Sequence, residues 1–181
     1  MNALDVLTIS GIGVGYEMVN LLPSDDVPVK IECCELFPVA DGAVLILRGE
    51  KSSLTKFIAH QSAADLIHSV LIEEYSEFLL RTFFSLESAP LADFLVVGES
   101  QFLGSLFQLG AEALKAGFGI IDLKAARGGQ RTHQLFLTKS ADKPLPAQER
   151  DRWLHAMKRS GSVKITLVDN PNPQVKSFFS S

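Results

Sequence analysis

Short apolar runs of strand length alternate with stretches of helical period along this chain, and the order in which they do so predicts most of the fold. Ala3 to Ile9 is a short, mostly apolar strand. Gly11, Gly13 and Gly15 lead from it into a short helix through Glu17 to Leu22, closed by Pro23 and the polar run Ser24, Asp25, Asp26. Val29 to Leu36 and Ala43 to Arg48 are rich in β-formers. Pro38, Asp41 and Gly42 separate them, which predicts a hairpin with a rather long loop. Lys51 to Ile67 is helical in pattern and Ser69 to Glu74 reads as a last strand, so the order is β-α-β-β-α-β.

The second half repeats that order. Phe94 to Val97 is a strand, Phe102 to Lys115 a helix, Ile120 to Lys124 and Thr132 to Thr138 strands, Ala147 to Met157 a helix and Val163 to Val168 a strand. Phe102, Leu103, Leu106, Leu109, Ala113 and Leu114 make one apolar face of its first helix, which Gly117 and Gly119 end. With both helices of a copy on one side of a four-stranded antiparallel sheet, each half is a ferredoxin-like split β-α-β unit, and the fold class is α+β.

Residue identities repeat as well. Ser69, Val70 and Ile72 fall on Ser162, Val163 and Ile165, and Phe83, Phe84 and Ser85 on Phe178, Phe179 and Ser180. Leu4 to Ile9 pairs with Ala92 to Val97, Ile31 to Glu35 with Ile121 to Ala125, and Leu45 to Leu47 with Leu135 to Leu137. Gene duplication is the economical explanation. A period of that length is too long for a solenoid, so two domains are expected, 1–88 and 89–181, each with its own core.

Composition narrows the function classes. The chain has 181 residues, 46% of them apolar, and a formal net charge of −4, which gives no basic field for nucleic acid. No apolar run approaches the roughly 18 residues that span a bilayer, and the N-terminus lacks a secretory pattern, so a soluble protein without membrane partners is expected. Cys33 and Cys34 are adjacent and cannot staple the fold, which points to a reducing cytoplasm.

The segment TISGIGVGYEMVNLL, the hairpin CCELFPVADGAVLILRGE and the helix after it resemble the first half of the tandem-domain shell proteins of bacterial microcompartments. Arg48, Gly49 and Glu50 stand where that family ends a strand in Arg-Gly-Asp or a near variant. FQLGAEALKAG, Phe107 to Gly117, is similar to its first helix ending in Lys-Ala, and Pro171, Asn172 and Pro173 stand at its Pro-Arg-Pro, with Asn172 in place of the usual Arg. The resemblance spans nearly the whole chain. It implies a structural role without catalysis, cofactor or metal, in a shell in the bacterial cytoplasm.

The resemblance also implies an assembly. Three chains close into a pseudohexagonal disc that tiles with other shell proteins, with Lys115 and Asn172 at subunit edges and a central channel lined by the strand–strand loops, Leu36 to Gly42 and Ala125 to Gln130. The lining residues would be Phe37, Pro38, Val39, Ala40, Asp41 and Gly42 from the first copy, and Ala126, Arg127, Gly128, Gly129 and Gln130 from the second. Three Arg127 side chains about an axis would favour small anionic metabolites; the alternative is a solvated turn residue. Gly42, Gly128 and Gly129 could hinge a gate, or Gly42 serve only the geometry of a turn.

The remaining chemistry-bearing residues are weaker candidates. Some shell proteins carry an iron–sulfur cluster on pore-loop cysteines, but Cys33 and Cys34 sit in a predicted strand before the loop and face opposite sides of the sheet, which favours buried free thiols. His60, His68, His133 and His155 lack ligand spacing, and Gly11-x-Gly13-x-Gly15 departs from the dinucleotide fingerprint. Glu73, Glu74 and Glu77 read as a solvated acidic rim. Ser140 to Arg152 reads as a loop entering a helix, and Trp153 as a core or interface anchor. A duplicated ligand-binding regulatory protein is the alternative function, with a site between the two sheets; an enzyme ranks third, as no catalytic constellation is visible.

Overall fold

The computed structural model of the chain describes residues 2–22, 31–127 and 130–180. The first copy consists of β1 (Asn2–Ile9), α1 (Ile12–Asn20), β2 (Ile31–Val39), β3 (Gly42–Glu50), α2 (Lys51–Ala59) and β4 (Leu66–Glu73), followed by a short α3 (Glu77–Phe83). The second consists of β5 (Phe94–Ser100), α4 (Leu103–Ala116), β6 (Phe118–Lys124), β7 (His133–Lys139), α5 (Ala147–Ser160) and β8 (Lys164–Asp169), followed by a short α6 (Pro173–Ser177). The strand orders are β2-β3-β1-β4 and β6-β7-β5-β8, and every neighbouring pair is antiparallel. Both sheets have the expected ferredoxin-like topology.

The register shows how the copies correspond. Leu45 to Leu47 matches Leu135 to Leu137 as the sequence suggests, because Asp5 pairs with Leu47 where Val96 pairs with Leu137. Three of the other sequence matches are slipped. Leu4 corresponds to Leu95 rather than Ala92, Cys33 to Ile120 rather than Leu123, and Leu71 to Leu167 rather than Lys164, three residues in each case. Three independent marks agree with this register. A bulge falls at Cys34 in β2 and at Ile121 in β6, the residue after each last strand is left-handed, Glu74 and Asn170, and the next-but-one residue caps a helix, Ser76 for α3 and Asn172 for α6.

Helix limits move for local reasons. α1 begins at Ile12, so Gly13 and Gly15 lie inside it, and Gly15 sits where a side chain would collide with Leu36. α2 stops at Ala59 because Ser62 turns the chain, its hydroxyl accepting the Ala64 N–H and its carbonyl the Asp65 N–H. α4 ends as expected at Gly117, which takes φ 100°.

One of the two core clusters is shared by both copies. One face of the first sheet (Ala3, Leu7, Ile9, Ala43, Leu45, Leu47) is covered by α1 and α2 and forms a separate cluster. Its other face (Leu4, Val6, Val44, Ile46, Ile72) packs with α3, α4 and the second sheet in a single continuous cluster. The expectation of one core per copy therefore gives way to an arrangement in which α4 is buried on two sides. Trp153 is a core anchor, its ring 4.5 Å from that of Phe118. Asp5, 2% exposed in the centre of the first sheet, accepts a hydrogen bond from Ser69 Oγ at 2.9 Å, and burial raises its pKa.

Candidate functional site

The β2–β3 and β6–β7 connections occupy corresponding places in the two copies, and a cleft of about 230 Å³ joins them, bordered by Val39, Ala40 and Asp41 from the first and Gln130, Arg131 and His133 from the second. The β2–β3 connection is a two-residue turn, Ala40–Asp41, and not the long loop expected from Leu36 to Gly42. Gly42 fits this turn at φ 152°, where a Cβ would strike the Ile9 carbonyl. Its glycine is explained by turn geometry.

That correction relocates three of the expected channel residues. Phe37, Pro38 and Val39 lie in β2. Phe37 is buried at 3% exposure against Phe83, so its ring cannot line an opening. Pro38 is exposed on an edge strand, where the missing N–H leaves no broken ladder bond. Ala126 is also buried, at 2%. Ala40, Asp41 and Gln130 are exposed at the joined turns, and Gly128 and Gly129 lie outside the described residues.

Arg127 reaches across the copies. Its guanidinium stacks on the Phe37 ring at 4.1 Å and lies 3.5 Å from Glu35 Oε2, while the side chain stays half-exposed. A cation over an aromatic face at a partly exposed site is worth about 0.5–1 kcal/mol. Its charge is therefore shared with Glu35. Beside it a second cleft, of about 470 Å³, is bordered by Phe84, Asp122, Lys124, Arg127, Gln130 and Gln134.

His133 orders the second loop, a role that its lack of metal-ligand spacing concealed. It is 2% exposed, and its Nδ1 accepts the Ala126 N–H at 2.9 Å. Burial pushes its pKa down to about 4, only partly offset by a bond to the Gln101 backbone, so the ring is neutral and Nδ1 is available as an acceptor. The alternating pattern of His133, Leu135 and Leu137, with His133 on the same face, was the available signal for its burial.

The edge candidates are placed as follows. Lys115 is exposed in the last turn of α4. Asn172 caps α6, its Oδ1 accepting the Val175 N–H at 3.0 Å. Arg48 clamps β2 and α3, its Nε and Nη2 donating to Glu32 at 3.1 and 2.6 Å and its Nη1 to Glu77 at 3.3 Å. Glu73 pairs with Lys51; the acidic rim is thus engaged in ion pairs at Glu73 and Glu77. Cys33 and Cys34 are free and pack into opposite clusters, and burial pushes the Cys34 thiol up to about 11, which keeps it protonated. Among the described residues no group of three or more His, Cys, Asp or Glu is placed to hold a metal, and no helix is long and apolar enough to cross a membrane.

No protein-family model matches the chain, and no curated protein matches it in sequence. Solved structures do. A microcompartments protein from Desulfitobacterium hafniense DCB superposes with a TM-score of 0.76 at 14% identity, over 98% of this chain and 99% of the other. A proposed glycine cleavage system transcriptional repressor is matched over 94% of this chain and 99% of the other at 13% identity, but its TM-score of 0.34 carries no argument. The chain has the fold of a tandem, microcompartment-type pair of ferredoxin-like domains.

Proposed function

We infer that this protein is a structural shell component of a bacterial microcompartment, residing in the shell within the cytoplasm and acting as a barrier rather than a catalyst. The observation that carries this reading is end-to-end similarity to a microcompartment protein in a chain whose two copies bring their strand–strand connections to one place. In this reading three chains form a pseudohexameric ring, and small metabolites pass at the joined turns. Duplication suits that role because a trimer of unlike copies presents two different loops three times each, where a hexamer must present one loop six times. The alternative of a regulatory protein with a ligand between its sheets loses support, since α4 and α3 fill that space.

Co-expressed with shell proteins of its own organism, the chain is expected to sediment with the shell fraction; a chain found only in the soluble fraction contradicts the assignment. Channel selectivity is a separate matter. Arg127→Ala is expected to lower the passage of small anions relative to neutral solutes across assembled shells, and to do so modestly because Glu35 already shares the charge. An unchanged ratio makes Arg127 a surface residue held on Phe37.

A further inference from the structure

We propose that the cleft between the two turns is a binding site for a small zwitterion, an α-amino acid with a side-chain hydroxyl. Thr8 lines it at 7% exposure, and its Oγ1 has no hydrogen-bond partner among the described residues. Thr8 follows Leu4 and Val6 on the face of β1 that meets the second copy, and its strand neighbours there are Val44 and His68. Nδ1 of His68 is likewise buried without a partner among the described residues, while the ring stacks on Phe102 at 4.3 Å.

A buried polar atom left unpaired costs free energy, so two of them on opposed residues point to one polar group that serves both. Opposed residues of an antiparallel pair hold their Cβ atoms about 4.5–5.5 Å apart, and a single hydroxyl between the side chains reaches each. Burial keeps His68 neutral, so Nδ1 can accept the hydroxyl proton while Thr8 donates to its oxygen.

The lips of the cleft set the charge of its ligand. Asp41 on the β2–β3 turn and Arg131 before β7 border it from different copies, both exposed, and neither is ion-paired with a described residue. A carboxylate at Arg131 and an ammonium at Asp41 satisfy both, whereas an anion or a cation alone meets repulsion from one of them. His133 is committed to Ala126 and the Gln101 backbone, so it serves as wall. A volume of about 230 Å³ is below the roughly 300–1,000 Å³ of pockets for drug-sized ligands and suits a metabolite of a few heavy atoms. The cleft lies beside the N-terminal end of α4, clear of the space between the sheets that α4 fills. Its residues belong to one chain, so binding is expected whether or not chains assemble.

L-Serine titrated into the whole chain by isothermal calorimetry is expected to bind saturably, and L-alanine about tenfold more weakly for want of the hydroxyl. Thr8→Val is expected to bring L-serine down to the L-alanine level yet to melt no lower than the wild type, because the hydroxyl it removes has no partner among the described residues. Asp41→Asn and Arg131→Gln, both at exposed positions, are each expected to weaken L-serine about threefold or more. A wild-type chain that binds L-serine no better than L-alanine, or a Thr8→Val chain that melts lower, overturns the site. A loss confined to one of the two charge variants overturns the zwitterion. The shell role is tested separately, by sedimentation with the shell fraction, and stands or falls apart from these results.

Discussion

His133 shows how a single buried side chain can order the connection between two strands. Its unprotonated Nδ1 holds the Ala126 N–H, and that loop carries Arg127 across to Phe37 and Glu35. The folded-state pKa, about 4, lies below the ordinary 6.5, so as pH falls the unfolded chain takes up this proton first. Stability from this group is complete above about pH 6.5 and declines toward pH 4, by up to about 1.4 kcal/mol per pH unit. Urea unfolding at pH 7, 6 and 5 is expected to give a steeper loss for the wild type than for His133→Gln. Equal slopes would show that the ring is not held neutral by the fold. Candidate-site residues were legible where they lay in turns, as Ala40 and Asp41 do. Phe37 was not, because Pro38 reads as a turn residue yet is tolerated on the edge strand β2.

At the scale of elements, strands and long helices were readable from period alone, and the two short helices were missed. Both carried signals: Ser76 followed by Glu77, and Asn172 followed by Pro173, are helix starts. They differ in what they bury. α3 places Leu79, Leu80 and Phe83 in the shared core, whereas α6 buries nothing. Ser76→Ala is therefore expected to cost about 1 kcal/mol of stability in urea unfolding, and Asn172→Ala much less. Equal losses would mean that α6 is as firmly integrated as α3. The three-residue slip in the sequence match has a physical origin too. Corresponding residues diverged because their surroundings did: Phe37 lies under Arg127 where exposed Lys124 stands in the other copy, and buried Asp5 answers to Val96. Chance identities such as Ser69 with Ser162 then outscored the true pairs. A slip of an odd number in a strand also assigns its side chains to the wrong face.

For the whole molecule, the division into 1–88 and 89–181 understates how the two copies are joined. α4 belongs to the second copy by sequence and to both sheets by packing, and the cluster it fills runs through both copies. In the proposed shell role three chains close into a ring, and the two strand–strand connections form the wall of its channel. The mass of the purified protein, by light scattering coupled to size exclusion across a range of concentrations, tests this most directly. The account predicts three times the 19.7 kDa chain, or six times for stacked rings. A particle that keeps the mass of one chain or two at every concentration contradicts it.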